Sequence, residues 1–178
     1  MSRYIAISDI HGEVAKLENV LSKIDIRPDD IFVFMGDYID RGPDSKSVID
    51  RVIKQSETNK CIYLIGSHEY AYLHRNDKYY NYLFWNYGGK ATVKSYGDIE
   101  NIEKVHGDFF KSLKFYHLTD KYLFVHAGIN PDVPFDKQSE VDLVYIRGKF
   151  IYSKHNLPQK IIFGHTDFEK PYIADDKI

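Results

Sequence analysis

Carboxylates and imidazoles are concentrated in five short polar clusters, and each cluster follows an apolar run. The clusters lie at residues 9–12 (Asp-Ile-His-Gly), 36–42 (Gly-Asp-Tyr-Ile-Asp-Arg-Gly), 66–69 (Gly-Ser-His-Glu), 126–128 (His-Ala-Gly) and 164–166 (Gly-His-Thr). Carboxylate oxygens together with imidazole nitrogens suit divalent metal ions. One such cluster is weak evidence, because Asp-x-His and a lone His are common by chance. The ordered set of five predicts metal chemistry.

The apolar runs before the clusters predict the strands that position them. These runs lie at residues 4–8, 31–35, 61–65, 122–125 and 160–163. Between the first three runs, apolar residues recur at helical spacing within 14–24 and 48–53. This βαβαβ order predicts an α/β fold with parallel strands and right-handed crossovers. Because ligands gather beyond the carboxyl ends of such strands, the five clusters are expected to meet at one site.

The second half of the chain predicts helices followed by short strands. Helices are expected over 69–96, with a break at Gly88-Gly89, and over 99–113. From residue 115 onward the pattern favours strands, including 143–146 and 171–174. No Pro/Gly/Ser-rich linker divides the chain, so we predict one domain over residues 1–178. The final residues, 175–178, resemble the approach to a further strand; either that strand is absent or the natural protein is minimal.

Composition argues against several classes of protein. The 178 residues carry a formal net charge of -2, which gives no sign of a nucleic-acid or anionic-membrane partner. No apolar run approaches the ~20 residues that span a bilayer, and a strand that begins by Tyr4 leaves no room for a signal peptide. The single cysteine, Cys61, cannot form an internal disulfide, so a reducing cytoplasm is the expected compartment.

With these motifs the chain resembles the phosphoprotein phosphatases within the calcineurin-like metallophosphoesterases. The family motifs read Gly-Asp-x-His-Gly, Gly-Asp-x-x-Asp-Arg-Gly and Gly-Asn-His-Glu, followed by two metal-binding histidines. The small bacterial and phage (lambda-type) members are the most similar, and the resemblance runs from Ile5 to about Pro171. Ser8 stands where the first motif usually has Gly. The resemblance implies a β-sandwich flanked by helices.

The resemblance also implies a role for each motif residue around two divalent metal ions, with Mn²⁺ favoured and Fe or Zn as alternatives. These roles are Asp9 and His11 on the first metal, Asp37 bridging both, Ser67, His126 and His165 on the second, His68 as general acid oriented by Asp40, and Arg41 and Arg147 as phosphate ligands. A hydroxide bridging the metals would attack phosphorus in line, without a covalent enzyme intermediate.

Ser67 departs from the family pattern, which has Asn at this position. The serine hydroxyl lies one bond closer to the backbone than the Asn amide oxygen, a shortfall of about 1.5 Å. Metal ligands must lie within about 0.2 Å of their ideal distances. We therefore expect the second metal to bind more weakly, with turnover at least tenfold lower, since even outer-shell losses cost ~10–100-fold.

Three functions follow as hypotheses. The leading one is a serine/threonine protein phosphatase that acts on phosphorylated proteins or peptides. The second is a symmetrical dinucleoside tetraphosphate hydrolase, in which Trp85 and nearby tyrosines could stack an adenine base. The third is a catalytically impaired module that binds metal or phosphate without turnover.

Overall fold

The computed structural model describes residues 3–178. Its first half forms a parallel sheet with the strand order β1-β2-β3. The strands are β1 (Tyr4–Ile7), β2 (Ile31–Phe34) and β3 (Lys60–Tyr63), connected by α1 (Val14–Leu21) and α2 (Ser45–Gln55). In register, Tyr4 lies opposite Ile31, and Ile31 lies opposite Lys60. The predicted βαβαβ unit is confirmed.

Four helices follow the first sheet. They are α3 (Ser67–Leu73), α4 (Lys78–Asn86), α5 (Gly89–Tyr96) and α6 (Ile99–Ser112). The predicted break at Gly88-Gly89 is present, and a second break precedes α4, whose N-cap Asp77 accepts hydrogen bonds from the backbone N–H groups of Tyr79 and Tyr80. The backbone of α6 leaves helical geometry at His106, beside the Gly107 that weakens this helix.

The second half forms a mixed sheet with the strand order β4-β5-β6. Its elements are β4 (Tyr116–Leu118), β5 (Tyr122–Val125), a 3-10 turn (Phe135–Lys137), α7 (Glu140–Tyr145), α8 (Gly148–Ile151) and β6 (Lys160–Ile162). Strand β4 pairs antiparallel with β5, and β5 pairs parallel with β6. The chain therefore returns to the sheet edge through α7 and α8.

Two predicted strands of this half are wrong. Residues 143–146 belong largely to α7, because Ser139 caps that helix by accepting a hydrogen bond from the Asp142 backbone N–H. Residues 171–174 form no strand; instead residues 176–178 lie along β6, where the Ile161 N–H donates to the Asp176 carbonyl at 2.9 Å. The C-terminal residues thus extend the β6 edge, as the approach to a strand would.

The two sheets pack face to face as a β-sandwich with helices on both outer faces. Val33 and Met35 point to the opposite sheet, where they meet Phe124, while Phe32 and Phe34 face helices α1–α6. This alternation follows the period of two along a strand. Burying such side chains contributes ~1.5–3 kcal/mol each, which makes these layers the main stabilising feature. Among residues 3–178, no helix has the length and apolar character needed to span a bilayer.

Candidate metal centre

Asp37 occupies the centre of the cluster at the carboxyl ends of the strands. Its Oδ2 lies 3.4 Å from His126 Nε2 and 3.7 Å from His11 Nε2. Its Oδ1 accepts the His68 backbone N–H at 2.9 Å. The carboxylate is buried and faces imidazoles on two sides, so one side chain links motifs that lie almost ninety positions apart in the sequence.

Two groups of metal-ligand atoms share Asp37. One consists of His11, Asp37 and His68, and the other of Asp37, His126 and His165, with ligand atoms within 4.8 Å of one another in each group. Within the second group, His126 Nε2 lies 3.2 Å from His165 Nδ1. A carboxylate shared between two imidazole groups could serve as a common ligand for a pair of neighbouring cations.

Backbone carbonyls set the orientation of two of these imidazoles. His11 Nδ1 donates to the Ile39 carbonyl at 2.9 Å, and His126 Nδ1 donates to the Met35 carbonyl at 2.8 Å. Each bond leaves the Nε2 atom facing Asp37, as is usual for metal-binding histidines. The buried His165 Nε2 has no hydrogen-bond partner among the described residues. The donor set therefore fits divalent metal ions.

Asp9 and Ser67 contact this centre but lie outside both ligand groups. Asp9 Oδ2 accepts the His165 backbone N–H at 3.0 Å, which joins the first motif to the last. Ser67 Oγ donates to Asp37, with 3.3 Å to Oδ1 and 3.2 Å to Oδ2. The serine hydroxyl thus directs its proton at the central carboxylate.

The charges of these groups are strongly coupled. Burial raises the pKa of Asp37, but His126 and the other imidazoles outweigh burial and hold this pKa well below its ordinary value. Burial lowers the pKa of His126, yet the Asp37 carboxylate outweighs it and raises the pKa to about 9. Burial and the positive charge of His126 lower the pKa of His165 to about 3. A cation that binds here must displace the proton of His126.

His68, a member of the first group, also forms a buried pair with Asp40. His68 Nδ1 donates to Asp40 Oδ2 at 2.7 Å. Burial lowers the pKa of His68, but Asp37 and Asp40 outweigh burial, and the pKa lies above its ordinary value. The other ring nitrogen, Nε2, accepts a hydrogen bond from Arg41 Nη2 at 3.2 Å. An anion that binds to Arg41 would take over this donor, and Nε2 could then carry a proton for the bound anion.

A cavity of about 350 Å³ opens over both metal groups, and both candidate phosphate ligands, Arg41 and Arg147, line it. Arg147 Nη1 donates to the His165 carbonyl at 3.0 Å, which fixes its guanidinium beside the second group. The site thus combines metal ligands, a proton donor and two guanidinium groups that suit phosphate oxygens.

Comparison with known proteins agrees with this chemistry. A model of the calcineurin-like phosphoesterase family matches residues 2–175. The chain belongs to the calcineurin-like phosphoesterase family.

The relatives of this calcineurin-like phosphoesterase are named for two kinds of enzyme, tetraphosphatases and protein phosphatases. This chain is 28% identical to the asymmetrical bis(5'-nucleosyl)-tetraphosphatase PrpE of Anoxybacillus flavithermus, with 94% of this chain and 80% of that protein covered. It is also 28% identical to the serine/threonine-protein phosphatase PP2A-like PPG1 of Saccharomyces cerevisiae, over 71% of this chain and 33% of that protein. A solved cold-active protein tyrosine phosphatase has the same fold, with a TM-score of 0.69 at 16% identity, covering 95% of this chain and 65% of that one.

Members of the family generally use divalent metals, and the groups around Asp37 are the candidates for holding them in this phosphoesterase. When bound, such a pair of metals clamps a phosphoryl group and lowers the pKa of a water molecule. The metal roles of Asp9, His11, Asp37, Ser67, His126 and His165, and the catalytic roles of Asp40, Arg41, His68 and Arg147, remain predictions from the sequence.

Backbone strain is concentrated at the phosphoesterase site. Among residues 3–178, all non-glycine residues with positive φ are predicted site residues: Asp9, His11, Asp37, Asp40, Arg41 and His165. Such conformations cost of order 1–3 kcal/mol each and persist where the surroundings enforce them. Gly36, with φ of +96°, packs its Cα against the Gly66 backbone, where a Cβ would not fit. The second and third motifs are therefore in direct backbone contact.

Glu69 has a structural role that the sequence did not reveal. Its buried carboxylate accepts N–H groups from Asp37 and Tyr38 at 2.8 Å, from Ile39 at 3.2 Å and from Gly66 at 3.0 Å. Burial and the neighbouring Asp37 raise the pKa of Glu69 to about 7. The sequence signal for this role was the position of Glu69 at the end of the third motif. That signal was ambiguous, because a carboxylate at the start of a helix is also favoured by the helix dipole.

Proposed function

We propose that this protein is a metal-dependent phosphomonoesterase and that phosphoserine or phosphothreonine in proteins or peptides is its leading substrate class. The observation that carries the proposal is the Asp37 carboxylate shared between two imidazole groups, one of which contains the His68 that donates to Asp40. In this proposal no nucleic acid or membrane takes part, and the compartment is the cytoplasm.

Each protein group has a definite task in the proposed reaction. Arg41 and Arg147 bind the phosphoryl oxygens through charge-assisted hydrogen bonds and orient phosphorus toward the attacking water. His68 gives the proton on Nε2 to the leaving oxygen as the bond from phosphorus to that oxygen breaks. Asp40 stabilises the imidazolium until that transfer. Such general acids typically contribute ~10²–10⁴-fold to the rate.

The test is hydrolysis of a phosphoserine peptide and of p-nitrophenyl phosphate by the full chain with added Mn²⁺. We expect turnover of both, and we expect His68→Asn to slow the peptide reaction by ~10²-fold or more. His117→Asn is the matched control, because His117 lies on β4 and stacks on Phe124, away from the cavity. If metal and phosphate bind but neither substrate is hydrolysed, the protein is a binding module rather than an enzyme.

A second substrate class, the dinucleoside tetraphosphates, is favoured by one face of α4. Tyr79, Leu83 and Tyr87 recur every four residues and line the same cavity as Arg41. Tyr79 is 63% exposed and Tyr87 is 54% exposed, so two aromatic rings remain uncovered beside the phosphate ligands. Gly88, which follows Tyr87, packs against the Arg41 backbone and holds this face close to the guanidinium. Trp85, the residue expected to stack a base, packs against Phe84 and the apolar core.

Product analysis with diadenosine tetraphosphate separates the substrate classes. Two ADP molecules would indicate the symmetrical hydrolase that is the second hypothesis from the sequence, whereas ATP and AMP would match the name of the PrpE relative. If a base stacks on the α4 face, Tyr87→Ala raises KM for the dinucleotide more than for the phosphopeptide. Tyr82→Ala is the control, because Tyr82 is 58% exposed on the same helix but lies outside the cavity lining.

A further inference from the structure

Thr92 lies on α5, outside all five sequence motifs, and contacts the partner of the proposed general acid. Its side chain is fully buried. Thr92 Oγ1 accepts the Asp40 backbone N–H at 2.9 Å and donates its own proton to Asp40 Oδ1 at 2.5 Å. One hydroxyl therefore holds both the main chain and the carboxylate of Asp40.

Ser45 completes the proton arrangement around Thr92. The two hydroxyl oxygens lie 3.0 Å apart, and Ser45 Oγ also accepts the Asp40 N–H at 3.1 Å. Because the single proton of Thr92 goes to Asp40 Oδ1, the Ser45 hydroxyl must donate to Thr92. Every donor of the group then has an acceptor, so the orientation of the Thr92 hydroxyl is fixed.

This arrangement leaves one orientation for the Asp40 carboxylate. Thr92 holds Oδ1, and Oδ2 accepts Nδ1–H of His68 at 2.7 Å. Asp40 also has a positive φ of 73°, which is a strained conformation. The hydrogen bonds from its backbone N–H to the Ser45 and Thr92 hydroxyls help to maintain it. A carboxylate held at both oxygens cannot rotate away from His68, so the Nε2 atom of His68 keeps its direction toward Arg41.

We propose that Thr92 is a positioning residue that acts through Asp40 to hold the His68 imidazole in the geometry for proton donation. The proposal rests on the function proposed above, in which His68 protonates the leaving oxygen. The effect of Thr92 on the rate of hydrolysis should depend on the leaving group. Hydrolysis of a phosphoserine peptide expels an alkoxide that needs the proton, whereas p-nitrophenolate leaves readily without one.

The test compares Thr92→Val with the wild-type protein and with Thr92→Ser on both substrates. We expect the valine variant to slow phosphoserine hydrolysis about tenfold, the order of effect for losing a hydrogen bond to a charged group. We expect p-nitrophenyl phosphate hydrolysis to change by less than about twofold, and serine, which keeps the hydroxyl, to restore the peptide rate. If Thr92→Val does not fold, Thr92→Ala serves for the same comparison.

Ser95→Ala is the matched control on the same helix. Ser95 accepts the Lys46 N–H and donates to the Thr92 carbonyl, so it docks α5 without touching Asp40. Equal slowing of both substrates by Thr92→Val, or the same leaving-group pattern in Ser95→Ala, would mean that Thr92 only supports packing. Unchanged rates in Thr92→Val would overturn the proposal directly.

A second measurement needs no turnover. In the metal-free protein, the Nδ1 proton of His68 should give a downfield ¹H NMR resonance because it lies in a short bond to Asp40. We expect Thr92→Val to broaden or shift this resonance, and Thr92→Ser and Ser95→Ala to preserve it. If the wild type hydrolyses no phosphoester, the proposed function fails; an unaltered resonance in Thr92→Val overturns the role of Thr92 whether or not turnover is seen.

Discussion

Replacing Ser67 with asparagine is expected to strengthen metal binding at the group of Asp37, His126 and His165. The serine hydroxyl lies 3.2–3.3 Å from both Asp37 carboxylate oxygens and directs its proton at them. Asparagine carries an amide oxygen about one bond length, or ~1.5 Å, farther from the backbone. Ser67 lines the cavity of about 350 Å³, so the added carboxamide has open space to enter.

Two opposing contributions set the size of this effect. Restoring one well-placed ligand should improve metal affinity by at least the ~10–100-fold seen for outer-shell groups, about 1.4–2.7 kcal/mol. The lost hydrogen bond from Ser67 to Asp37 is worth ~1.5–3 kcal/mol in general. At 3.2–3.3 Å, shared between two oxygens, this bond lies at the weak end of that range, and a bound cation competes for the same oxygens. We expect the added metal ligand to outweigh the lost hydrogen bond, so that the metal dissociation constant is at least tenfold lower in Ser67→Asn.

Calorimetric titration with Mn²⁺, metal content after gel filtration and turnover of p-nitrophenyl phosphate measure this change. Ser67→Ala is the control, because it removes the hydroxyl without supplying a longer ligand. The expected order of affinity is Asn above Ser, with Ala close to Ser. A tenfold or larger loss in Ser67→Ala, with no gain in Ser67→Asn, would refute the reasoning and identify serine as an adequate ligand.

Three further predictions concern the metals, the acid stability and the α4 face. EDTA should abolish phosphatase turnover and Mn²⁺ should restore it, because the family generally uses divalent metals; activity that persists in EDTA would contradict this. The Arg3 guanidinium lowers the pKa of Asp30 from 3.8 to about 2. The ion pair between Arg3 and Asp30 therefore stabilises the folded protein above pH ~4, and this stabilisation is lost as the pH falls toward 2. Arg3→Met should therefore lower the unfolding midpoint at pH 6 but not at pH 2, and an equal drop at both would argue against this ion pair. Gly88→Ala should destabilise the protein by ~1–3 kcal/mol in urea and raise KM, because a Cβ would clash with the Arg41 backbone; an unchanged midpoint would disprove the clash.

The parallel sheet and the three motif loops that follow its strands could be predicted from the sequence because their signals are local. Strand β2 reads as a continuous apolar run, as expected for a strand buried on both faces, and Asp37 follows the run at a point that topology places at the sheet edge. Strand direction then brings the first three motifs to one edge of the parallel sheet. Asp37 meets His126 because the second sheet packs against the first, where His126 Nδ1 donates to the Met35 carbonyl, and the sequence indicated this packing only through the family resemblance.

The sequence predictions failed at short apolar segments and at contacts between residues that are distant in the sequence. Residues 143–146 are too few for periodicity to separate strand from helix, and Ser139, which accepts the Asp142 N–H, was the local signal that decided for α7. Thr92 could not be recognised, because nothing in the sequence around it indicates a hydrogen bond to a residue 52 positions away. Such contacts depend on how α5 docks on the loop after β2.

Glu69 and Thr92 together explain how the loop after β2 can remain strained. Asp37, Asp40 and Arg41 all have positive φ in this loop, and each such residue costs of order 1–3 kcal/mol. The Glu69 carboxylate from α3 accepts the N–H groups of residues 37–39, and the Thr92 hydroxyl from α5 accepts that of Asp40. Consecutive N–H groups of one loop are thus bound by two different helices, which offsets the strain while the Asp37 and Asp40 side chains face the imidazoles. The geometry of the site is therefore set in part by Glu69 and Thr92, which belong to neither ligand group, and substitutions of these two residues should change catalysis without removing a metal ligand.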